Sequence, residues 1–319
     1  MRIFLAPMEG VVDFSVRALL SGIGGIDGCV TEFVRVTHTQ LPEKVFQRFM
    51  PELNNNCRTQ NGTDVKLQLL GGNAESLAIN AKRAVSYGAR AIDLNFGCPA
   101  KTVNNSDGGA SLLRCPERVY NIVRAVRCAV PSNIPVSAKI RLGFADRSSY
   151  MDNATAVAEA GASELCVHAR SKADGYKPPA YWDYIYRIRE AIDIPVVANG
   201  EIWNLEDFKR CREQSGCEDF MLGRGLMAHP DLARQIKAYI AGEEYQCLSW
   251  KKICTMLHHF HQGTVDHYPE KYMGNRLKQW LMYLRRHYPE ADVFFEAVKR
   301  QRDAEAIERI FNEQYAAIS

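Results

Sequence analysis

Short apolar runs rich in β-branched residues recur along the chain, each closing on a polar or glycine-containing end. They are IFLAP (from Ile3), CVTEF (Cys29), VKLQLLG (Val65), AIDLNFG (Ala91), VSAKIRLG (Val136), ELCVHAR (Glu164), IPVVANG (Ile194) and DFMLGR (Asp219). Such runs read as buried strands. Most are separated by segments of helical period. Leu77, Ala81, Ala84 and Val85 stand at i, i+4, i+7 and i+8, one helical face. PERVYNIVRAVRCAV and MDNATAVAEAGA carry the same pattern. Gly88 and Gly161 follow two of these segments, where a helix would stop. Strands alternating with helices imply a (β/α)8 TIM barrel or a doubly wound sheet. The strand count and a span of roughly 250 residues favour the barrel. The first strand-to-helix turn lacks GxGxxG, which weakens a dinucleotide-binding sheet. After about Gly242 the alternation gives way to helical segments mixing aromatic and basic residues. The division expected is a catalytic barrel over 1–242 and a small all-helical domain over 243–319.

Composition narrows the class little. The 319 residues are 46% hydrophobic and 24% charged, ordinary for a globular protein with a large core. No apolar stretch is long enough for a transmembrane helix, and the first residues do not resemble a signal peptide, so a cytoplasmic location is expected. The net charge of +3 permits an anionic partner without requiring one. The ten cysteines are scattered, with no CxxC and no zinc-finger spacing. No metal is expected, and most thiols should be reduced, half-buried small hydrophobes. Cys98 is the exception, set between Gly97 and Pro99 where a strand ends.

In a TIM barrel the carboxyl ends of the strands face the active site. Those positions carry Glu32, Gln68, Asn95, Cys98, Lys139, Arg141, His168, Asn199 and Arg224. Packing alone does not account for so many polar groups at one depth. Gly200, Gly223 and Gly225 follow strands seven and eight of the alternation, where barrels often bind phosphate through backbone N–H groups. Arg224 adds a forked cationic donor. Lys139 would point into the mouth, either ion-paired to a carboxylate or beside an electron-rich ring undergoing reduction. His168 could be a core histidine or a ligand-binding one.

These stretches together resemble the tRNA-dihydrouridine synthases: APMEGVVD, LQLLGG, DLNFGCPAKTV, GGASLL, AKIRLG, VHAR, VVANGEI and LGRGLM. They run in family order from Ala6 to Met227, and the helical tail is similar to the family's RNA-binding domain. Asn-x-Gly-Cys-Pro is the most specific element; the rest are shared more weakly with other flavin barrels. The resemblance implies bound FMN, NADPH as reductant, and reduction of the C5–C6 double bond of a tRNA uridine. It implies that Pro7, Met8, Gln68, Lys139, His168, Asn199, Gly200, Glu201, Gly223 and Arg224 hold FMN. It implies that Asn95, Arg141 and Tyr176 orient the uracil and that Cys98 is the general acid. Glu9 stands where many members have alanine. With TEFVRV (Thr31–Val36), the MEG stretch is similar to the bacterial C-type subgroup, which modifies uridine 16 of the D-loop. The alternative is a flavin barrel reducing a free pyrimidine or another small enone.

The chemistry suits the residues. Hydride reaches C6 and a proton must reach C5 from the opposite face. A thiol of ordinary pKa, about 8.5, is protonated at neutral pH and can supply it. Lys139 and Arg141 could instead lower that pKa and make Cys98 a nucleophile. Gly97 and Pro99 would hold the thiol at one depth, and Gly108–Ala110 could allow closure over substrate. For RNA, the segment Lys271–Arg286 holds Lys271, Arg276, Lys278, Arg285 and Arg286 with no acidic residue, beside Tyr272, Trp280 and Tyr283. Its basic residues, chiefly Arg276 and Lys278, are expected to meet phosphates, with Arg35 and Lys101 extending the rim. Its aromatics fit an amphipathic core-facing stripe better than base stacking. A monomer is expected.

Overall fold

The apolar runs form the staves of a closed parallel barrel. In the computed structural model, which describes residues 1–265, 272 and 274–317, the strands are β1 (Ile3–Leu5), β2 (Gly28–Val30), β3 (Val34–Arg35), β4 (Asp64–Leu70), β5 (Ile92–Phe96), β6 (Val136–Arg141), β7 (Glu164–His168), β8 (Val196–Asn199) and β9 (Asp219–Leu222). Neighbours run β2-β1-β9-β8-β7-β6-β5-β4, and β2 pairs with β4 to close the ring. The second stave is broken in two. Gly28–Val30 pairs with Asp64–Lys66, and Val34–Arg35 pairs with Leu69–Leu70. At the break, Thr31 Oγ1 accepts from the Gln68 backbone N–H at 3.0 Å, so the ladder stays satisfied.

Alternation along the staves fills the interior in layers. At the amino end, Arg2 and Lys66 meet Glu164 at 2.7 Å each. Above them Phe4, Val30, Cys166, Val197 and Met221 form a buried apolar plug. At the carboxyl end the inward positions turn polar. In register, Asn95 lies beside Lys139, Arg141 beside His168, and His168 beside Asn199. The helices bury one stripe each against the outside of the staves. Asn73 caps the helix Ala74–Ser86 by accepting from Ser76 N at 2.8 Å. Gly88 (φ +104°) and Gly161 (φ +90°) end their helices with positive φ, as the sequence suggested.

The tail holds helices at Trp250–Val265, Asn275–Leu284, Glu290–Val298 and Ala304–Ala317. Leu277, Trp280, Leu281 and Leu284 recur at helical spacing and are all buried. Trp280 donates from Nε1 to the Met227 carbonyl at 3.0 Å, so this helix seats directly on the barrel's last turn. The apolar core runs without a break from barrel to tail. At the joint, Asp231 accepts from Tyr245 Oη at 2.9 Å and Leu248 N at 2.7 Å. The His229 ring stacks on His287 with centroids 3.8 Å apart. Ligand-type atoms of His229, Asp231 and Cys247 lie within 4.8 Å of one another, a grouping that no short spacing in the sequence announces. No helix among the described residues is long and apolar enough to cross a membrane.

Candidate active site

A cavity of about 530 Å³ opens at the carboxyl ends of the staves. Its walls include every residue expected to hold FMN, from Pro7 and Met8 through Gln68, Lys139, His168, Asn199, Gly200, Glu201 and Gly223 to Arg224. Asn95, Cys98, Arg141 and Tyr176 line the same space. The barrel architecture explains the convergence, because inward positions of neighbouring parallel strands stack at equal height.

The floor is cationic and buried. Lys139 donates from Nζ to Asn199 Oδ1 at 2.8 Å, and Asn199 Nδ2 donates to the Met221 carbonyl at 2.7 Å. Among the described residues Lys139 has no ion-pair partner, and burial lowers its pKa from the ordinary value. Burial also holds the His168 imidazole well below its usual range, reinforced by the charges of Arg141, Lys139, Arg170 and Arg224. His168 is therefore neutral at physiological pH. Among the described residues its buried Nε2 has no hydrogen-bond partner, a polar atom free to meet a ligand. Gly200 has φ +117°, and a Cβ there would come within 2.8 Å of His168 Cδ2, so only glycine fits.

Glu201 takes a different part from the one its position suggested. Its carboxylate accepts from Arg170 at 2.6 Å and Trp203 Nε1 at 3.0 Å, and lies 3.4 Å from Arg224. Burial pushes its carboxyl up, but these bonds and charges prevail and hold it below the ordinary value. The carboxylate aims Arg170 and Arg224 and is already committed to them.

Cys98 sits on the wall, nearly buried, on the loop leaving β5. Burial raises its pKa, opposed by the Ala100 backbone N–H and the charges of Arg141 and Arg35. Burial thus favours the thiol over the thiolate, the form a general acid needs. Asn95 Oδ1 accepts from Gly97 N and Cys98 N, each at 2.9 Å, and so folds back over the turn. Arg141 donates from Nε to the Gly97 carbonyl at 2.8 Å and from Nη1 to Ser171 and Gly175 carbonyls, bracing the loop from the other side. The Gly108–Ala110 segment does not stand over the cavity as a flap. It is buried beneath Cys98, with Ala110 N donating to the Cys98 carbonyl at 3.1 Å. A Cβ on Gly109 would press within 2.9 Å of that carbonyl.

The RNA-facing expectations divide. Arg35 and Lys101 are exposed, outside the cavity wall. Arg276 and Lys278 are corrected. Arg276 donates to the Gly10 and Val11 carbonyls at 2.7 and 2.8 Å and pairs with Asp13 at 2.8 Å. It is a docking bolt between tail and barrel, both of its terminal nitrogens engaged there. Lys278 donates from Nζ to the Gln301 carbonyl, within the tail. Lys271 lies outside the described residues. Arg285 pairs with Asp292 at 2.5 Å, and Arg286 stacks 3.7 Å from the Trp203 ring centroid. Of the aromatics, Trp280 is core, Tyr283 lines the cavity and Tyr272 is exposed. Glu32 accepts from Gly10 N at 2.5 Å and does not reach the cavity.

Sequence reasoning missed Trp203 and Asp93. Asp93 could have been found, since period-two alternation puts it on the same inward face as Asn95.

The closed eight-stave barrel with a polar pocket at its carboxyl mouth defines a TIM-barrel enzyme scaffold. Solved structures of this shape include a 2-naphthoyl-CoA reductase complex, with TM-score 0.56, 9% identity, 76% of this chain and 50% of that chain. Another is a variant of NCR from Zymomonas mobilis, with TM-score 0.51, 13% identity, 77% of this chain and 88% of that one. At such identities the likeness is one of fold. The sequence carries the family. The dihydrouridine synthase (Dus) profile matches residues 4–316, and the chain belongs to that family. It is 52% identical over 310 residues to a tRNA-dihydrouridine(16) synthase of Aquipseudomonas alcaligenes, covering 97% of this chain and 98% of the relative. It is 50% identical over 313 residues to that of Shewanella oneidensis, covering 98% of each. The tRNA-dihydrouridine(16) synthase of Neisseria meningitidis serogroup A is 45% identical over 312 residues, covering 98% of this chain and 94% of the relative.

Proposed function

We propose that this chain reduces a uridine of the tRNA D-loop, at position 16, to 5,6-dihydrouridine, using bound FMN and NADPH. The observation that supports this most is the pairing, in one cavity, of a protonated thiol at Cys98 with a buried, polar, cation-rich floor. The residues fit a flavin. Among the described residues His168 Nε2 is buried without a hydrogen-bond partner and Lys139 is buried without an ion-pair partner, and glycines 200 and 223 bare backbone beside Arg224. Pro7, Met8, Gln68, Lys139 and Asn199 would hold the ring system. His168, Gly200, Glu201, Gly223 and Arg224 would hold the phosphate end, Glu201 by orienting Arg224. When bound, the flavin supplies the hydride.

The chain's own residues do the rest. Tyr176 stands half-exposed at the mouth, with the guanidinium carbons of Arg141 and Arg224 at 5.2 and 4.7 Å from its ring centroid. It would bracket the flipped uracil, with Arg141 and Asn95 fixing its edge. Cys98 gives its proton to C5. Arg35 and Lys101 would neutralise phosphates on the rim. Residues 1–242 would form the catalytic unit and 243–319 the tRNA-facing unit of a cytoplasmic monomer, the tail adding Tyr283 and Arg286 near the mouth. The test is single-turnover reoxidation of the NADPH-reduced enzyme, followed by flavin absorbance. Reoxidation by unmodified tRNA but not by free uridine supports the proposal; reoxidation by free uridine alone contradicts it.

A further inference from the structure

A chain of hydrogen bonds runs from the barrel interior to the backbone of Cys98. Ser137 Oγ donates to Asp93 Oδ1 at 2.6 Å, and Gln68 Nε2 donates to Asp93 Oδ2 at 2.7 Å. Asn95 Nδ2 then donates to Gln68 Oε1 at 2.7 Å. Asn95 Oδ1 accepts from the N–H groups of Gly97 and Cys98. Asp93, Gln68 and Ser137 are all buried, so no bulk water can substitute for a missing partner.

The chain has a direction, set at one end by Asp93 and at the other by the backbone N–H groups of Gly97 and Cys98. The two side-chain amides can each be turned end for end with little change in shape. Two kinds of group cannot: a backbone N–H, which only donates, and an ionised carboxylate, which only accepts. At Asp93 burial raises the pKa, and the Ser137 and Gln68 donors and the charges of Lys66 and Lys139 work against it. Asp93 therefore draws the Gln68 amide nitrogen to itself and leaves Gln68 Oε1 facing Asn95. Gln68 Oε1 in turn draws Asn95 Nδ2 and leaves Asn95 Oδ1 facing the loop. Were the order reversed, Asn95 Nδ2 would confront two backbone N–H groups and the turn would lose its cap.

We propose that Asp93 is a positioning residue for Cys98: it polarises the Gln68–Asn95 amide chain so that Asn95 caps the Gly97–Cys98 turn and sets the thiol at its working depth. This rests on the acid role given to Cys98 above. Asp93 itself does not line the cavity and stands behind Gln68, which does.

The variant Asp93→Asn keeps shape but offers one acceptor oxygen for the two donors, Gln68 Nε2 and Ser137 Oγ, that Asp93 accepts from. The double variant Asp93→Asn/Gln68→Glu moves the obligate acceptor one residue along, so Asn95 keeps its orientation. In the FMN-loaded enzyme, Asp93→Asn should leave flavin content and its reduction by NADPH within about threefold of wild type. Reoxidation by unmodified tRNA should slow about thirtyfold or more, the scale of a small misplacement of a reacting group. Iodoacetamide labelling, resolved by peptide mass spectrometry, gives a readout without turnover. Cys98 should label about tenfold faster in Asp93→Asn as the turn loosens, while exposed Cys128 is unchanged. The double variant, read by labelling alone because Gln68 also faces the flavin, should return Cys98 labelling to the wild-type rate.

Wild-type reoxidation in Asp93→Asn would overturn the proposal. So would a flavin that is lost or reduced as slowly as it is reoxidised, which would make Asp93 a support of the cofactor. If the single variant does not fold, the folded double variant carries the test, and fast Cys98 labelling in it overturns the proposal. Failure of tRNA to reoxidise the wild-type enzyme would instead sink the underlying activity, and this proposal with it.

Discussion

Arg276 on the tail helix reaches back 263 residues to Asp13, the residue that caps the first helix of the barrel. Asp13 uses Oδ1 to cap Val16 N at 3.0 Å and Oδ2 to hold Arg276 at 2.8 Å. One carboxylate thus starts a helix and fastens the tail. Arg276→Ala removes the guanidinium from the Gly10 and Val11 carbonyls and leaves half-buried acceptors behind. Loss of about 2–4 kcal/mol is expected in chemical denaturation. The salt dependence of tRNA binding by the folded variant should match wild type, whereas loss of a phosphate contact would flatten the log–log slope by about 0.9.

Arg35 and Lys101 are the contrasting case. They are exposed, and no ion pair among the described residues engages either side chain. Replacing both with alanine should leave folding unchanged and flatten the salt slope of tRNA binding by about 1 to 2. An unchanged slope in a filter-binding titration would take the Cys98 side of the rim out of the RNA interface.

Cys98→Ala should keep FMN and its reduction by NADPH. Reoxidation by tRNA should fall about 10²–10⁴-fold, the range of a lost general acid. The pH dependence has a definite sign. The acid acts while it holds its proton, and burial raises the thiol above its ordinary 9.0. Wild-type reoxidation should therefore be flat from neutral pH upwards and decline only above that value. A rate that rises with pH about a midpoint near neutrality in a stopped-flow pH series would point to a thiolate and a nucleophile.

Glu201 faces Arg170, whose side chain is fully buried. Glu201→Gln leaves that charge without a full partner, and the apoprotein should lose about 2–4 kcal/mol. FMN should restore part of the loss by bringing its own anion. The linkage runs one way. The folded pKa lies below the ordinary 4.5, so the pair's contribution is present above that value and is lost as pH falls through the folded pKa. Acid denaturation below about pH 4.5 should be steeper in wild type than in Glu201→Gln.

The barrel was legible because its staves are written as β-branched runs with polar carboxyl ends, from Ile3 to Arg224. The cavity wall followed, since equal depth on parallel strands brings side chains together. Two things were not written locally. Arg276 looks like a surface cation in a basic amphipathic segment, and only the docking of tail on barrel shows its terminal nitrogens already in use. Gly108–Ala110 looks like a hinge, yet its glycines serve close packing under Cys98. Asp93 passed unnoticed because it reaches the loop through two intermediaries.

The central claim is tested most directly by incubating the FMN-loaded protein with unmodified tRNA transcript and NADPH, then mapping dihydrouridine nucleotide by nucleotide. The account predicts product at position 16 alone. Product at another D-loop uridine would keep the chemistry and contradict the site. No dihydrouridine from an enzyme that still oxidises NADPH would contradict the account itself.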